Sequence, residues 1–192
     1  MSLHAAIHAK SFGALPVLRD VMFQVRRGEV LAVLGPSGVG KSTLLRLLAG
    51  LDADFTGEIR REGRLAMVFQ EPTLMPWRTA LDNLRLTAGV DVTQAQAALA
   101  RVGLAGKGGM YPGQLSLGQQ RRLSLARAYA AKPAILLLDE PFVSLDTALV
   151  TDMLALTESV IAEQRPATVF VTHAQAEADR LATRQMMLGA LA

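Results

Sequence analysis

Gly35-Pro-Ser-Gly-Val-Gly-Lys-Ser42 carries the spacing G-x-x-x-x-G-K-[ST], directly after the apolar run Val30–Leu34 and directly before a segment of helical periodicity. Glycine at these positions lets the backbone curl until successive N–H groups point at one anion. The start of the following helix adds positive potential there. Such a loop holds the phosphates of a nucleotide. Gly35, Pro36, Ser37, Gly38, Val39 and Gly40 supply the curled backbone, and Lys41 bridges the β- and γ-phosphates. The Ser42 hydroxyl is placed for Mg²⁺, and Thr43 adds a phosphate contact. A second chemical group stands at Ile135-Leu-Leu-Leu-Asp139-Glu140-Pro141, two carboxylates ending an apolar run. At the C-terminal end of a buried strand they occupy the edge where open α/β sheets gather ligands. Asp139 suits Mg²⁺, directly or through water, and Glu140 can polarise an attacking water as general base.

Elements of two kinds must position these groups. Before residue 70 the short apolar runs His4–Lys10, Val21–Arg27, Val30–Leu34, Gly57–Arg60 and Arg64–Gln70 alternate with Gly, Pro or polar turns and read as strands. A helix from Gly38–Lys41 to Gly50 carries Leu44, Leu45, Leu47 and Leu48 at helical spacing, with Gly50 as its C-terminal cap. From Thr79 to Ala131 the pattern is helical, broken at Gly103–Gly109, and a helix opening near Ser116 ends at Lys132-Pro133. Ala134–Leu138 fits a strand buried on both faces. A helix over Thr147–Gln164, a buried strand over Ala167–Val171, a short helix over His173–Ala182 and a last strand over Gln185–Leu188 follow. This alternation predicts an α/β fold with a largely parallel sheet and a helical insertion.

Composition narrows the class. The chain has 192 residues, 51% hydrophobic and 19% charged, which suits one compact domain and excludes a disordered chain. It has no cysteine, which excludes disulfide scaffolds, thiol chemistry and Cys-ligated zinc. No uncharged apolar stretch reaches the length of a membrane span, and the first ten residues do not have the form of a secretory signal. A cytoplasmic protein is the expectation. Net charge is +3 without a run of five or six basic residues, so no nucleic-acid surface is expected.

Further residues follow in a fixed order. Gln70 closes the strand ending Val68-Phe69, Leu115-Ser-Leu-Gly-Gln119 opens a helix, Ser144-Leu-Asp146 follows the acidic strand, and His173 follows Phe170-Val-Thr172. From about Ala5 to Leu188 this series resembles the ATP-binding cassette (ABC) family. The resemblance implies a P-loop (RecA-like) α/β core with a mostly parallel sheet, an N-terminal antiparallel β subdomain and a helical insertion. A single domain, 1–192, divides into core and β subdomain over 1–70 and 132–192 and a helical signature subdomain over 71–131. It implies ATP and Mg²⁺ as cofactors and a head-to-tail dimer of two copies with two ATP molecules between them. Gln70 matches the Q-loop glutamine, a Mg²⁺ and water contact. Ser116, Gly118 and Gln119 match the signature that meets the partner's γ-phosphate. Asp146 matches an aspartate acting across the dimer, and His173 the switch histidine that positions the Glu140–water pair. Phe12 falls where an adenine-stacking aromatic is expected, with core packing as the alternative.

Two departures stand out. Leu117 replaces the usual first signature glycine, which is tolerated where that side chain points away from phosphate, whereas Gly118 must allow close backbone approach. Glu58–Leu65 leaves room only for a tight hairpin. Glu71-Pro-Thr-Leu-Met-Pro-Trp-Arg78 is similar to cassettes of bacterial nitrate, sulfonate, taurine and thiamine importers. The resemblance implies an integral membrane permease docking near Gln70–Arg78, with Trp77 either in that groove or in the core. It also implies a solute-binding protein in the same complex and a peripheral position on the inner face of the cell membrane. A soluble, non-transport cassette and a P-loop kinase are the alternatives. The first would want tandem cassettes, a long heptad insertion or basic arms; the second has no need of Ser116–Gln119 or Glu140.

Overall fold

The computed structural model describes residues 2–143 and 145–189. Ser144, named above with Leu145 and Asp146, lies outside the described residues. Strands β1 (Leu3–Phe12) and β2 (Leu15–Val25) form an antiparallel hairpin turning at Gly13. After β3 (Val30–Leu34) comes the glycine-rich loop and α1 (Lys41–Ala49), then β4 (Thr56–Arg61) and β5 (Leu65–Val68). A helical block follows: α2 (Ala80–Ala88), α3 (Val92–Arg101), a 3₁₀ turn at Pro112–Gln114, and α4 (Leu117–Ala130). The chain then runs through β6 (Ile135–Asp139), α5 (Thr147–Gln164), β7 (Ala167–Thr172), α6 (Gln175–Leu181) and β8 (Arg184–Met187).

The strands build two sheets, an antiparallel one in the order β2-β1-β4 and an all-parallel one in the order β5-β6-β7-β3-β8. The α/β class, the parallel core sheet and the helical insertion are as the sequence predicts. Glu58–Leu65 is not a hairpin: β4 pairs with β1 and β5 with β6, so this segment crosses between sheets. Gly63 turns the chain at φ 90°, and the Arg64 carbonyl accepts from Ala134 N–H (2.8 Å) and Ile135 N–H (3.1 Å), which docks β5 beside β6.

Side-chain parity places the core and, through it, the site. Ile135 and Leu137 of β6 face α1 and the antiparallel sheet, while Leu136 and Leu138 face α5 and α6. Asp139 continues the first parity and so lies over the N-terminal end of α1. Leu44, Leu45, Leu47 and Leu48 of α1 are all fully buried, each contributing about 1.5–3 kcal/mol, and they fix that end of the helix against the sheet. A third cluster joins α2, α3 and α4; Leu123 and Ala126 of α4 belong to it while Leu125 and Ala128 pack on the sheet. β1 is irregular. Its register slips against β4 between Ile7 and Ala9 and against β2 between Lys10 and Ser11. Burial shifts parity with it, from Leu3, Ala5 and Ile7 to Lys10.

Candidate nucleotide-binding site

The loop after β3 enters α1 through Gly40, whose φ of 103° is left-handed. A Cβ at Gly40 would stand 2.9 Å from Val17 Cγ1 and 3.2 Å from the Val17 carbonyl oxygen, so only glycine fits. No side chain caps α1, which leaves its first-turn N–H groups directed at the cleft. That cleft, of about 480 Å³, has an apolar wall of Phe12, Leu15 and Val17 and a floor of Ser37, Gly38, Gly40, Lys41, Ser42 and Thr43. Gln70 and Glu140 close it. Phe12 is 55% exposed, which removes the core-packing alternative.

Buried Lys41 donates to the carbonyls of Gly35 (2.9 Å) and Pro36 (3.0 Å) and lies 3.3 Å from Glu140 Oε1. Gly35 and Pro36 thus serve through their carbonyls rather than as cleft lining. Val39 gives its side chain to the core and its N–H to Pro36 O. The Ser42 hydroxyl donates to Asp139 Oδ1 at 3.0 Å. Burial pushes the Asp139 carboxyl above its ordinary range, partly opposed by that hydrogen bond.

Glu140 takes a left-handed φ of 42° and donates its N–H to Val171 O, a turn that aims its carboxylate between two elements. Its Oε2 lies 3.6 Å from Nδ1 of half-exposed His173. The turn carrying His173 is braced by Thr172, whose hydroxyl accepts from Ala174 N–H (3.0 Å) and donates to Glu177 (2.5 Å). Phe12, the glycine-rich loop, Gln70, Asp139, Glu140 and His173 therefore come together.

Ser116, Gly118, Gln119 and Asp146 lie elsewhere. They line a separate cleft of about 590 Å³ with Leu145, Leu149 and Arg122. Two helix starts meet there. Ser116 Oγ accepts from Gln119 N–H (3.3 Å) while Gln119 Oε1 accepts from Ser116 N–H (3.1 Å), capping α4. Asp146 Oδ1 accepts from Leu149 N–H (2.9 Å), capping α5. A Cβ on Gly118 would approach only the end of the Leu149 side chain, 2.8 Å from Cδ2, which brings the start of α4 close against α5. Leu117 does not turn away: it lines this cleft, half exposed.

Trp77 is 71% exposed and is not a core residue. The sequence reading missed the side chains that hold its loop. Fully buried Asn83 accepts from Met75 N–H (2.9 Å) and donates to the carbonyls of Met75, Arg78 and Thr79. Arg127 donates to the carbonyls of Pro72 and Thr73, both at 2.9 Å. Arg121, also buried, ties α4 to Pro141 O, next to Glu140. Their partners are backbone carbonyls, and α2 and α4 already carry several polar residues, so residue type gives no signal for them. Leu15 and Val17 were missed because the first half of β2 is mostly exposed and shows no alternation.

A glycine-rich loop between a central parallel strand and a helix, with two carboxylates at a nearby strand end, defines a P-loop nucleoside triphosphatase. The ABC transporter family model matches residues 18–143, two thirds of the sequence. The aliphatic sulfonates import ATP-binding protein SsuB 1 of Nocardia farcinica is 45% identical over 184 residues, 93% of this chain and 74% of that protein. SsuB 3 of Paraburkholderia xenovorans is 44% identical over 181 residues, 93% of this chain and 73% of its own length. Among solved structures, an inward-facing metal-chelate type ABC transporter superposes with a TM-score of 0.87 at 27% identity, covering 98% of this chain and 79% of that one. A dimeric, post-hydrolysis ATP-binding cassette bound to ADP and Pi gives 0.85 at 28% identity, covering 98% and 94%. The chain belongs to the ABC transporter family, and it is an ATP-binding, ATP-hydrolysing subunit of such a transporter. No helix among the described residues is long and apolar enough to cross a membrane.

Proposed function

We propose that two copies of this chain, head to tail, close over two ATP molecules on the inner face of the cell membrane and so power import through a separate permease. The observation that carries this reading is the separation of two clefts within one chain. One holds the glycine-rich loop, Lys41 and Glu140; the other holds the converging starts of α4 and α5, and they share no lining residue. Each is half of a site, and the second copy supplies the missing half. The dimeric cassette among the structural relatives supports the pairing.

Within each pocket Phe12 stacks on the base, and the loop N–H groups with Lys41 hold the phosphates. A phosphate arriving there competes with the Gly35 and Pro36 carbonyls for the Lys41 ammonium. The Ser42 hydroxyl and the Asp139 carboxylate, hard oxygen ligands 3.0 Å apart, would hold Mg²⁺ together with the phosphates, Gln70 adding a contact. Among the described residues no group of three His, Asp or Glu makes a metal cage alone, which fits an ion arriving with its nucleotide. Bound Mg²⁺ supplies charge neutralisation at the phosphate oxygens. Glu140 takes a proton from water as the water oxygen attacks the γ-phosphorus. The bond to the β–γ bridging oxygen breaks, leaving ADP and phosphate, while His173 orients Glu140 and touches the γ-phosphate. Ser116, Gly118 and Gln119 meet the partner copy's γ-phosphate, and Asp146 acts across the interface. The exposed Glu71–Arg78 loop docks the permease, and a solute-binding protein completes the complex. The importers among its relatives support small aliphatic sulfonates as the solute class.

The test is complementation. A Ser116→Arg chain keeps a working phosphate loop and a Lys41→Ala chain keeps a working signature, so their mixed dimer has one intact pocket of two. An equimolar mixture should regain about a quarter of wild-type ATP hydrolysis while each chain alone is inactive. No recovery at any mixing ratio refutes the shared pockets.

A further inference from the structure

Lysine is among the residues least often buried, yet Lys10 is 2% exposed. Its ammonium lies 2.9 Å from Asp52 Oδ2 and 3.2 Å from Asp54 Oδ2. It also sits over the Phe12 ring, 4.6 Å from the centroid. Both carboxylates belong to the link that follows α1, the helix opened by the phosphate loop, and Phe12 is a wall of the cleft above that loop. The register slips in β1 account for this placement: the one between Ile7 and Ala9 turns Lys10 inward to the carboxylates, and the one between Lys10 and Ser11 carries Phe12 to the cleft rim. The hydrogen bond that Lys10 donates to Asp52, with a smaller share from the one to Asp54, holds its ammonium above the ordinary lysine range.

We propose that Lys10 is a positioning residue for the nucleotide base: pinned by Asp52 and Asp54, its ammonium covers one face of the Phe12 ring and leaves the other face to stack on the purine of ATP. A cation fixed on one face does two things. It stops the exposed ring from turning among rotamers, and it draws π-electron density away from the face that meets an electron-rich purine. The inference rests on the reading of Phe12 as the base platform.

The experiment compares two probes on the full chain in magnesium buffer, ATP and inorganic tripolyphosphate, by calorimetric titration. Tripolyphosphate occupies the phosphate loop but has no base to stack. Lys10→Met should weaken ATP about three- to tenfold and leave tripolyphosphate unchanged, and Lys10→Arg should restore ATP affinity to within about twofold of wild type. Equal weakening of both probes would place Lys10 in the fold of the phosphate loop and overturn the proposal. So would wild-type ATP affinity in Lys10→Met. Where Lys10→Met does not fold, Lys10→Met with Asp52→Asn removes the unpaired carboxylate, and the same difference between the probes is expected. Phe12→Ala separates the two readings. If it leaves ATP affinity unchanged, the platform itself is wrong; if it weakens ATP while Lys10→Met does not, only the role of Lys10 falls.

Discussion

The Ser42 hydroxyl donates to Asp139 Oδ1 at 3.0 Å, joining the first turn of α1 to the end of β6 across a sequence separation of 97 residues. The bond holds a buried carboxylate whose charge the fold disfavours, because burial raises its pKa. For an acid with a raised folded-state pKa, stability is full below the unfolded value and declines as pH rises through the folded one. Asp139→Asn should therefore melt about 2–4 °C higher than wild type at pH 7 without nucleotide. The gain should shrink as pH falls toward the ordinary aspartate range, about 4, because the raised folded-state pKa lets the wild-type carboxyl take up its proton before the unfolded chain does. Magnesium-dependent ATP hydrolysis should drop about 100-fold in the same variant. Thermal melts across pH, with and without magnesium nucleotide, check both; a gain over wild type that is no larger at pH 7 than at pH 4 would show that the buried charge is not the cause.

Glu140 stands between Lys41 at 3.3 Å and His173 at 3.6 Å, which holds its carboxylate in one direction and suits the general-base role proposed above. Glu140→Gln keeps the shape and removes the proposed base. ATP affinity should stay within about threefold of wild type while turnover falls about 10²–10⁴-fold. Light scattering should find a long-lived dimer with magnesium ATP. Turnover equal to wild type removes Glu140 from the chemistry.

Asn83 and Trp77 should behave oppositely. Asn83→Ala strands buried N–H and carbonyl groups of the Met75–Thr79 turn and should cost about 2–3 kcal/mol of unfolding free energy in urea. Trp77→Ala removes an exposed ring and should change stability by less than about 0.5 kcal/mol. Its effect should appear in proteoliposomes carrying the permease, as lost ATP-driven uptake with the melting temperature intact. A stable Asn83→Ala, or a Trp77→Ala that transports normally, would contradict this account of the loop.

Much of the site could be read from residue order, because its parts are local. The phosphate loop is a contiguous run whose glycines answer to backbone geometry at one place, as Gly40 against Val17 illustrates. The buried run Ile135–Asp139 ends in acids wherever the sheet places it, and Ser116 with Gln119 forms its capping box within one turn. What escaped the sequence depends on parity and distance. Glu58–Leu65 reads as a hairpin until pairing shows β4 and β5 in different sheets. Asn83, Arg121 and Arg127 look like ordinary helix residues because their partners are backbone carbonyls, which leave no trace in residue type. Lys10 escaped for a similar reason, since only the slip in β1 between Ile7 and Ala9 turns it inward.

The segment from Gln70 to Arg78 begins at the nucleotide cleft, ends beyond Trp77 on the surface, and is fastened on the way to α4 by Arg127 and to α2 by Asn83. A strap tied at both helices has little slack. A pull on the indole is therefore shared by α2 and α4 rather than taken up in the strap. Ser116 and Gly118 open that same α4, so the loop assigned above to the permease and the residues assigned to the partner copy's phosphate hang on one rigid rod.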